Sequence, residues 1–385
     1  MRREWLNISD GSRQVSRDPA DGIAELPENF ATGIGAANEI AADMADKRAL
    51  ITGITGQDGS YLAEHLLNLG YEVWGLVRRT SLDPMMRIDG LMHPRRRIHI
   101  VYGNLRDSAS LRSALEQSQP HEIYNLAAQS DVGISFKCPD ETMEVNYLGV
   151  GRLLHEAMHV NPQVRIYHAS TSEMFGKTPP PQNEHSPFAP VSPYGEAKLL
   201  AYEHFVKPYR DKHALFICSG ILFNHESPRR GEHFVTRKIS ISLAKLKLGL
   251  QDDFSLGNLR AARDWGFAGD YVKAMHLMLQ HEKPDDYVIA TGTSHSVRDF
   301  VETAAKVLEM DVRWTGAGFD EVGLDRNGKV IIRIDEEFYR PVEVESLRGD
   351  AGKARRQLGW SPQVSFAGLV DMMVKNDFER LARRS

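Results

Sequence analysis

Tyr194 and Lys198 lie four residues apart in Tyr194-Gly195-Glu196-Ala197-Lys198. On a helix that spacing puts both side chains on one face. The chemistry open to them is proton transfer, because an ammonium beside a phenol favours the phenolate and the same cation reaches a cofactor ribose. Alone, the pair is a weak pattern, since most such pairs sit on a surface. Two other stretches weigh for function. Gly53-Ile54-Thr55-Gly56-Gln57-Asp58-Gly59 spaces its glycines as G-x-x-G-x-x-G, and Ser170-Thr171-Ser172-Glu173 gathers hydroxyls and a carboxylate where an apolar run ends.

A glycine triplet means little outside its context, which here is a strand over residues 47–52 and a helix marked by Leu62, Leu66, Leu67 and Leu69. Between such elements a tight turn lets the backbone approach a pyrophosphate, and free N–H groups at the helix start favour anions. Gly53, Thr55, Gly56, Gln57, Asp58 and Gly59 are therefore read as a dinucleotide cradle; the alternative is a plain strand-to-helix turn. A second strand over residues 71–77 ends in Arg78-Arg79-Thr80-Ser81. An acidic residue there would bond the ribose 2′-OH of NAD. Two guanidinium groups and two hydroxyls suit a 2′-phosphate and point to NADP.

Further strands are expected over residues 98–102, 122–128, 165–169, 215–220 and 287–291. They alternate with helices over 111–117, 144–160, about 234–249, 267–276 and 296–308. That alternation argues a doubly wound parallel sheet, with ligands outside the carboxyl ends of its strands. Gly103-Asn104-Leu105 follows the third strand and Leu126-Ala127-Ala128-Gln129-Ser130 the fourth. Small residues at the latter let a backbone come close to a cofactor, or serve only packing. Phe223-Asn224-His225-Glu226-Ser227-Pro228-Arg229-Arg230 is polar and dense, and Arg263-Asp264 read alone is a structural ion pair.

The chain has 385 residues, 42% of them hydrophobic, enough for one large or two medium domains. With 47 basic and 52 acidic residues the net charge is −5, and nothing asks for a nucleic-acid partner. Cys138 and Cys218 are the only cysteines, too few for a disulfide framework or a zinc site. No metal is expected, no run is long enough to span a bilayer, and the cytoplasm is the natural compartment. Residues 1–46 lack periodicity and an apolar signal region, and read as a disordered extension.

These motifs together resemble the extended short-chain dehydrogenase/reductases and, within them, the GDP-mannose 4,6-dehydratase family. The resemblance runs from about residue 47 to 379 and rests on GITGQDGSYLAE, VRRTS, NLAAQS, STSEMFG, SPYGEAK, GILFNHESPRRGE, RDWG and RPVEVESLRGD. It implies an α/β architecture: a Rossmann domain over 47–222 with 264–292 returning to it, and a smaller mixed α/β substrate domain over 223–263 and 293–383. Tyr194 and Lys198 would remove the proton of the sugar 4-hydroxyl, Thr171 would bond the O4 region, and Glu173 would be the base at C5. Glu173 separates dehydratases from simple epimerases on this fold. The cofactor implied is NADP, contacted by the glycine turn, Arg78, Arg79, Thr80, Ser81, Asn104, Leu105, Leu126, Ala127, Ala128, Gln129, Ser130, Lys198, His225 and Arg230. Ser172, Asn224, Arg263, Arg340 and Glu343 would hold a GDP-sugar, and a homo-oligomer, dimer or tetramer, is expected. The chain departs from the family pattern at Asn104, Asp131, Glu141, Asn146 and Phe267. GDP-mannose and another GDP-sugar, such as a GDP-manno-heptose, both stay open as substrate, with a keto-sugar reductase or epimerase as a further alternative.

Overall fold

The computed structural model describes residues 47–81, 84–93, 97–339, 344 and 346–383. The expected extension over 1–46 lies outside them, as do Arg340 and Glu343.

Seven strands form one parallel sheet: β1 (Arg48–Thr52), β2 (Glu72–Val77), β3 (Ile98–Tyr102), β4 (Glu122–Asn125), β5 (Arg165–Thr171), β6 (Phe216–Leu222) and β7 (Asp286–Ile289). Their order is β7-β6-β5-β4-β1-β2-β3, so the direction of winding reverses between β1 and β4. In such a sheet ligands gather at the reversal, outside the carboxyl ends. The strands read as near-continuous apolar runs because helices cover both faces. On one face α1 (Gln57–Asn68) and α6 (Ala268–Gln280) bury Leu62, Leu66, Met275 and Leu279 against Ile51, Val73 and Tyr124. On the other, α2 (Ser108–Ser118) and α3 (Gly149–Val160) bury Leu111, Leu115, Leu153 and Leu154 against Leu50, Ile123 and Ile166. α4 (Pro193–Ala201) carries Tyr194 and Lys198.

Two boundaries differ from expectation for local reasons. β4 stops at Asn125, not at residue 128, because the next two amides, of Leu126 and Ala127, both donate to the Thr52 hydroxyl at 3.1 and 3.0 Å. The helix expected over 144–160 begins as a wide turn, Glu144–Leu148, before α3. It follows two short helices, Val132–Lys137 and Pro139–Met143, that the sequence did not announce.

The rest of the chain builds a second apolar cluster from α5 (Val235–Lys247), α7 (Val297–Val307) and α8 (Phe366–Ala382), including Ile239, Leu243, Phe300, Leu369 and Met373. A four-stranded sheet joins it, with strands Arg313–Thr315, Val322–Leu324, Val330–Ile334 and Phe254–Leu256. Ser296 caps α7 in a capping box with Asp299.

Within this cluster Arg237 and Asp377 form a fully buried bidentate pair, at 2.7 and 2.6 Å. Ser240 donates a third bond to Asp377, and the same guanidinium donates to the carbonyls of Pro228 and Arg230. The pair therefore ties α8 to the polar segment after β6. Breaking a buried pair from one side strands the other charge, at a cost of about 3–5 kcal/mol. Asp377→Ala is expected to lose stability of that order in denaturant titration. A loss below about 1 kcal/mol would class the pair with surface bridges.

Candidate active site

Thr171 ends β5 with extended backbone, and its hydroxyl accepts from the Glu173 N–H at 3.2 Å. This cap starts the single turn Ser172–Met174 and keeps Thr171, Ser172 and Glu173 at the strand end, with Glu173 7% exposed. α4 begins in the same way, Ser192 accepting from the Gly195 N–H at 3.1 Å. The two segments are pressed together at Gly195, where a Cβ would lie 2.7 Å from the Glu173 carbonyl oxygen. The glycine inside Tyr-Gly-x-x-Lys was the sequence signal for this contact.

Three of the expected chemical groups, Thr171, Glu173 and Tyr194, meet, and Lys198 lies one turn along α4 from Tyr194. Burial pushes the Tyr194 phenol up to about 12; the Thr171 hydroxyl, its hydrogen-bond partner, pulls it back, and the Glu173 charge pushes it further up. Lys198 is buried and donates to the Ala169 carbonyl at 2.7 Å, and that burial lowers its ammonium to about 8. Beneath them His168 is buried, held well below its ordinary value by desolvation and then by the Lys198 charge. Its Nδ1 faces Asn125 Nδ2 at 3.1 Å. No sequence feature marked it.

The glycine turn has the close backbone approach that an anion cradle requires. Gly53 has φ +72°, and a Cβ on it would stand 2.9 Å from the Ala127 nitrogen. A Cβ on Gly59 would stand 2.3 Å from the Gly53 carbonyl oxygen. Gly56 caps α1 without a side chain, so the first amides of the helix carry no side-chain partner. This arrangement fits a pyrophosphate by the chemistry of its donors. Thr55 and Gly56 line the turn, and Thr52 fixes Leu126 and Ala127 opposite it.

Other expected contacts are modified by their surroundings. Gln129 spends its amide on the Asp131 backbone and Thr142, and its own backbone pairs with Asn146 at 2.9 and 2.8 Å. Ala128 is half-buried and Ser130 exposed. Asn104 uses Oδ1 to accept from the Arg106 N–H. The Leu105 side chain is buried in the apolar layer of Leu111 and Leu153, because Gly149 lets α3 close over it. Arg78, Arg79, Thr80 and Ser81 are exposed just beyond β2, with Arg78 Nη1 3.9 Å from Glu141 Oε1.

The segment after β6 packs back on α1. His225 directs Nε2 to Asp58 at 2.7 Å and Nδ1 to the Phe223 carbonyl at 2.8 Å, so the expected cofactor contact has both ring nitrogens engaged by protein. Gln57 bonds the His225 carbonyl and receives the Ser227 hydroxyl. Arg230 pairs with buried Glu226 at 3.0 Å and lies over the Phe234 ring. The Asn224 carbonyl accepts from Gly266, leaving its side chain half-buried. Arg263 donates to the carbonyls of Ala262 and Val344. Asp264 accepts from Thr291, Gly292 and Gly349, so its role is to hold backbone. Three departures from the family pattern have local work: Asp131 caps the helix Val132–Lys137, Asn146 bridges Gln129, and Phe267 meets the edge of Tyr61.

The sheet order, the glycine cradle and the Tyr-Lys pair define an extended short-chain dehydrogenase/reductase. A dTDP-glucose 4,6-dehydratase from Streptomyces venezuelae, solved with NAD, superposes with TM-score 0.73 at 24% identity, over 87% of this chain and 98% of that one. A UDP-glucose 4-epimerase from Thermotoga maritima gives 0.72 at 20%, over 87% and 99%. At these identities the likeness is one of fold. In sequence, the family model for GDP-mannose 4,6 dehydratase matches residues 50–373. The Drosophila melanogaster protein of that name is 47% identical over 97% of this chain and 98% of its own length. The human one is 51% identical over 86% and 91%. The chain therefore belongs to the GDP-mannose 4,6-dehydratase family and is a hydro-lyase of the nucleotide-sugar 4,6-dehydratase class. Among the described residues no helix is long and apolar enough to cross a membrane, and no cluster of His, Cys, Asp and Glu could hold a metal.

Gly59→Ala is expected to force the turn open, since its Cβ would meet backbone at 2.3 Å. Calorimetric titration should show dinucleotide binding lost. Retained binding would mean that the turn is not the cradle.

Proposed function

We propose that the chain converts GDP-mannose to GDP-4-keto-6-deoxymannose and water, with NADP regenerated in each turnover. The observation that carries this reading is the Tyr194 phenol between the Thr171 hydroxyl and the Glu173 charge, with buried Lys198 one helical turn along α4 and bonded to the Ala169 carbonyl of β5. An epimerase needs no such carboxylate. The glycine cradle suits the pyrophosphate, and Arg78, Arg79, Thr80 and Ser81 suit a 2′-phosphate, which favours NADP over NAD. Ser172, Asn224 and Arg263 lie on the substrate side of this reading.

Bound there, the nicotinamide supplies reversible hydride transfer between C4 and C6 of the hexose. Tyr194 takes the 4-hydroxyl proton. Burial pushes its phenol up to about 12, and the Thr171 hydroxyl lowers it toward the phenolate; Lys198 is assigned the same part by the family resemblance. The resulting 4-ketone acidifies C5–H. Glu173 removes that proton and returns it to the departing 6-hydroxyl, which leaves as water. Tyr194 holds the proton that C5 regains. One water is lost with no net oxidation. Thr171 steadies charge developing on O4.

Incubation of the purified protein with GDP-mannose, without added reductant, should give a product lighter by one water. Dehydration of another GDP-sugar with GDP-mannose untouched would reassign the substrate. Tyr194→Phe is expected to lose about 10²- to 10⁴-fold in kcat with its fold intact by circular dichroism. Glu173→Gln should still oxidise C4 and then stall, so that the absorbance of reduced nicotinamide accumulates. Full turnover by this variant would remove Glu173 from the reaction.

A further inference from the structure

We propose that His225 is the fixed counter-charge of Asp58, a positioning residue that keeps a carboxylate in the first turn of α1 from repelling the pyrophosphate. This rests on the dinucleotide reading above and assigns the histidine a part other than direct contact.

Asp58 is the second residue of α1. A carboxylate there favours the helix dipole. It also opposes any second anion arriving at the same amides. The chain keeps the first effect and cancels the second. Asp58 Oδ2 lies 2.7 Å from His225 Nε2, and Oδ1 accepts from Gln57 Nε2 at 3.0 Å. His225 Nδ1 lies 2.8 Å from the Phe223 carbonyl oxygen. A carbonyl only accepts, so Nδ1 carries a proton. Nε2, facing a carboxylate, carries the other, and the ring is an imidazolium. The pair is largely buried, at 22% and 11% exposure, and the ring stacks on Tyr271 at 4.6 Å and 24°. With both nitrogens spent on protein, the ring has no N–H left for a dinucleotide. Its effect on binding must pass through Asp58.

Burial opposes both charges, yet mutual attraction leaves Asp58 below and His225 above its ordinary value. Arg230 is the other cation whose field reaches both groups, and it is paired with Glu226. The phenols that feel Asp58 are Tyr167, Tyr271 and Tyr194, and all are pushed up. Lys198, at about 8, titrates in the same range and must be subtracted.

The sign follows from the raised His225 value. Below it the imidazolium neutralises Asp58; above it Asp58 stands bare beside the anion site. Binding of NADP to the full chain is measured by calorimetric titration from about pH 6 to about pH 10, around the ordinary histidine value, for wild type and Asp58→Asn. Lys198 is common to both and cancels in the ratio of their Kd values. The ratio should stay near one at low pH and rise about tenfold as His225 loses its proton. At neutral pH, His225→Gln should weaken binding about tenfold, and adding Asp58→Asn to it should restore most of the loss. A flat ratio with tight binding, or a double variant as weak as His225→Gln, overturns the inference alone. A wild type that binds no NADP at any pH overturns the cofactor reading and this inference with it.

Discussion

Three absent side chains set the distances on which the site depends. Without a Cβ, Gly59 lets α1 begin against the carbonyl of Gly53, Gly53 turns the chain beside Ala127, and Gly195 brings α4 onto the backbone of Glu173. Any larger residue at these positions would separate backbones by more than a hydrogen bond tolerates. The tight glycine turn and the Thr171, Glu173 and Tyr194 cluster are thus consequences of close backbone approach.

Burial then does electrostatic work in opposite directions. It pushes Tyr194 up and Lys198 down, so each charged form is costly to hold there. The glycine-turn side is handled differently. There the charges are paired, Asp58 with His225 and Arg230 with Glu226, and the first pair joins α1 to the segment after β6. Arg237 and Asp377 anchor that segment again from the second apolar cluster. The polar segment after β6 is consequently held both from α1 and from the second apolar cluster.

Much of this could be read from the chain. The strand–turn–helix context of the glycines, the alternation of strands and helices, and the spacing of Tyr194 and Lys198 are local patterns, and local patterns survive without coordinates. The end of β4 could not be read, because a hydroxyl 73 residues away on Thr52 decides it. Nor could the destination of His225, whose partner is 167 residues distant, or the buried neutrality of His168. That the Leu105 side chain packs under α3 was likewise decided by tertiary contact.

By itself, then, the sequence determined the periodicities, the glycine positions and the set of chemical groups, since these depend on residue type and short spacing. Only the tertiary structure decided which groups meet, which nitrogens are already engaged and which charges are neutralised. Those outcomes turn on contacts between segments far apart in the chain, and the energy of a charge is fixed by what surrounds it.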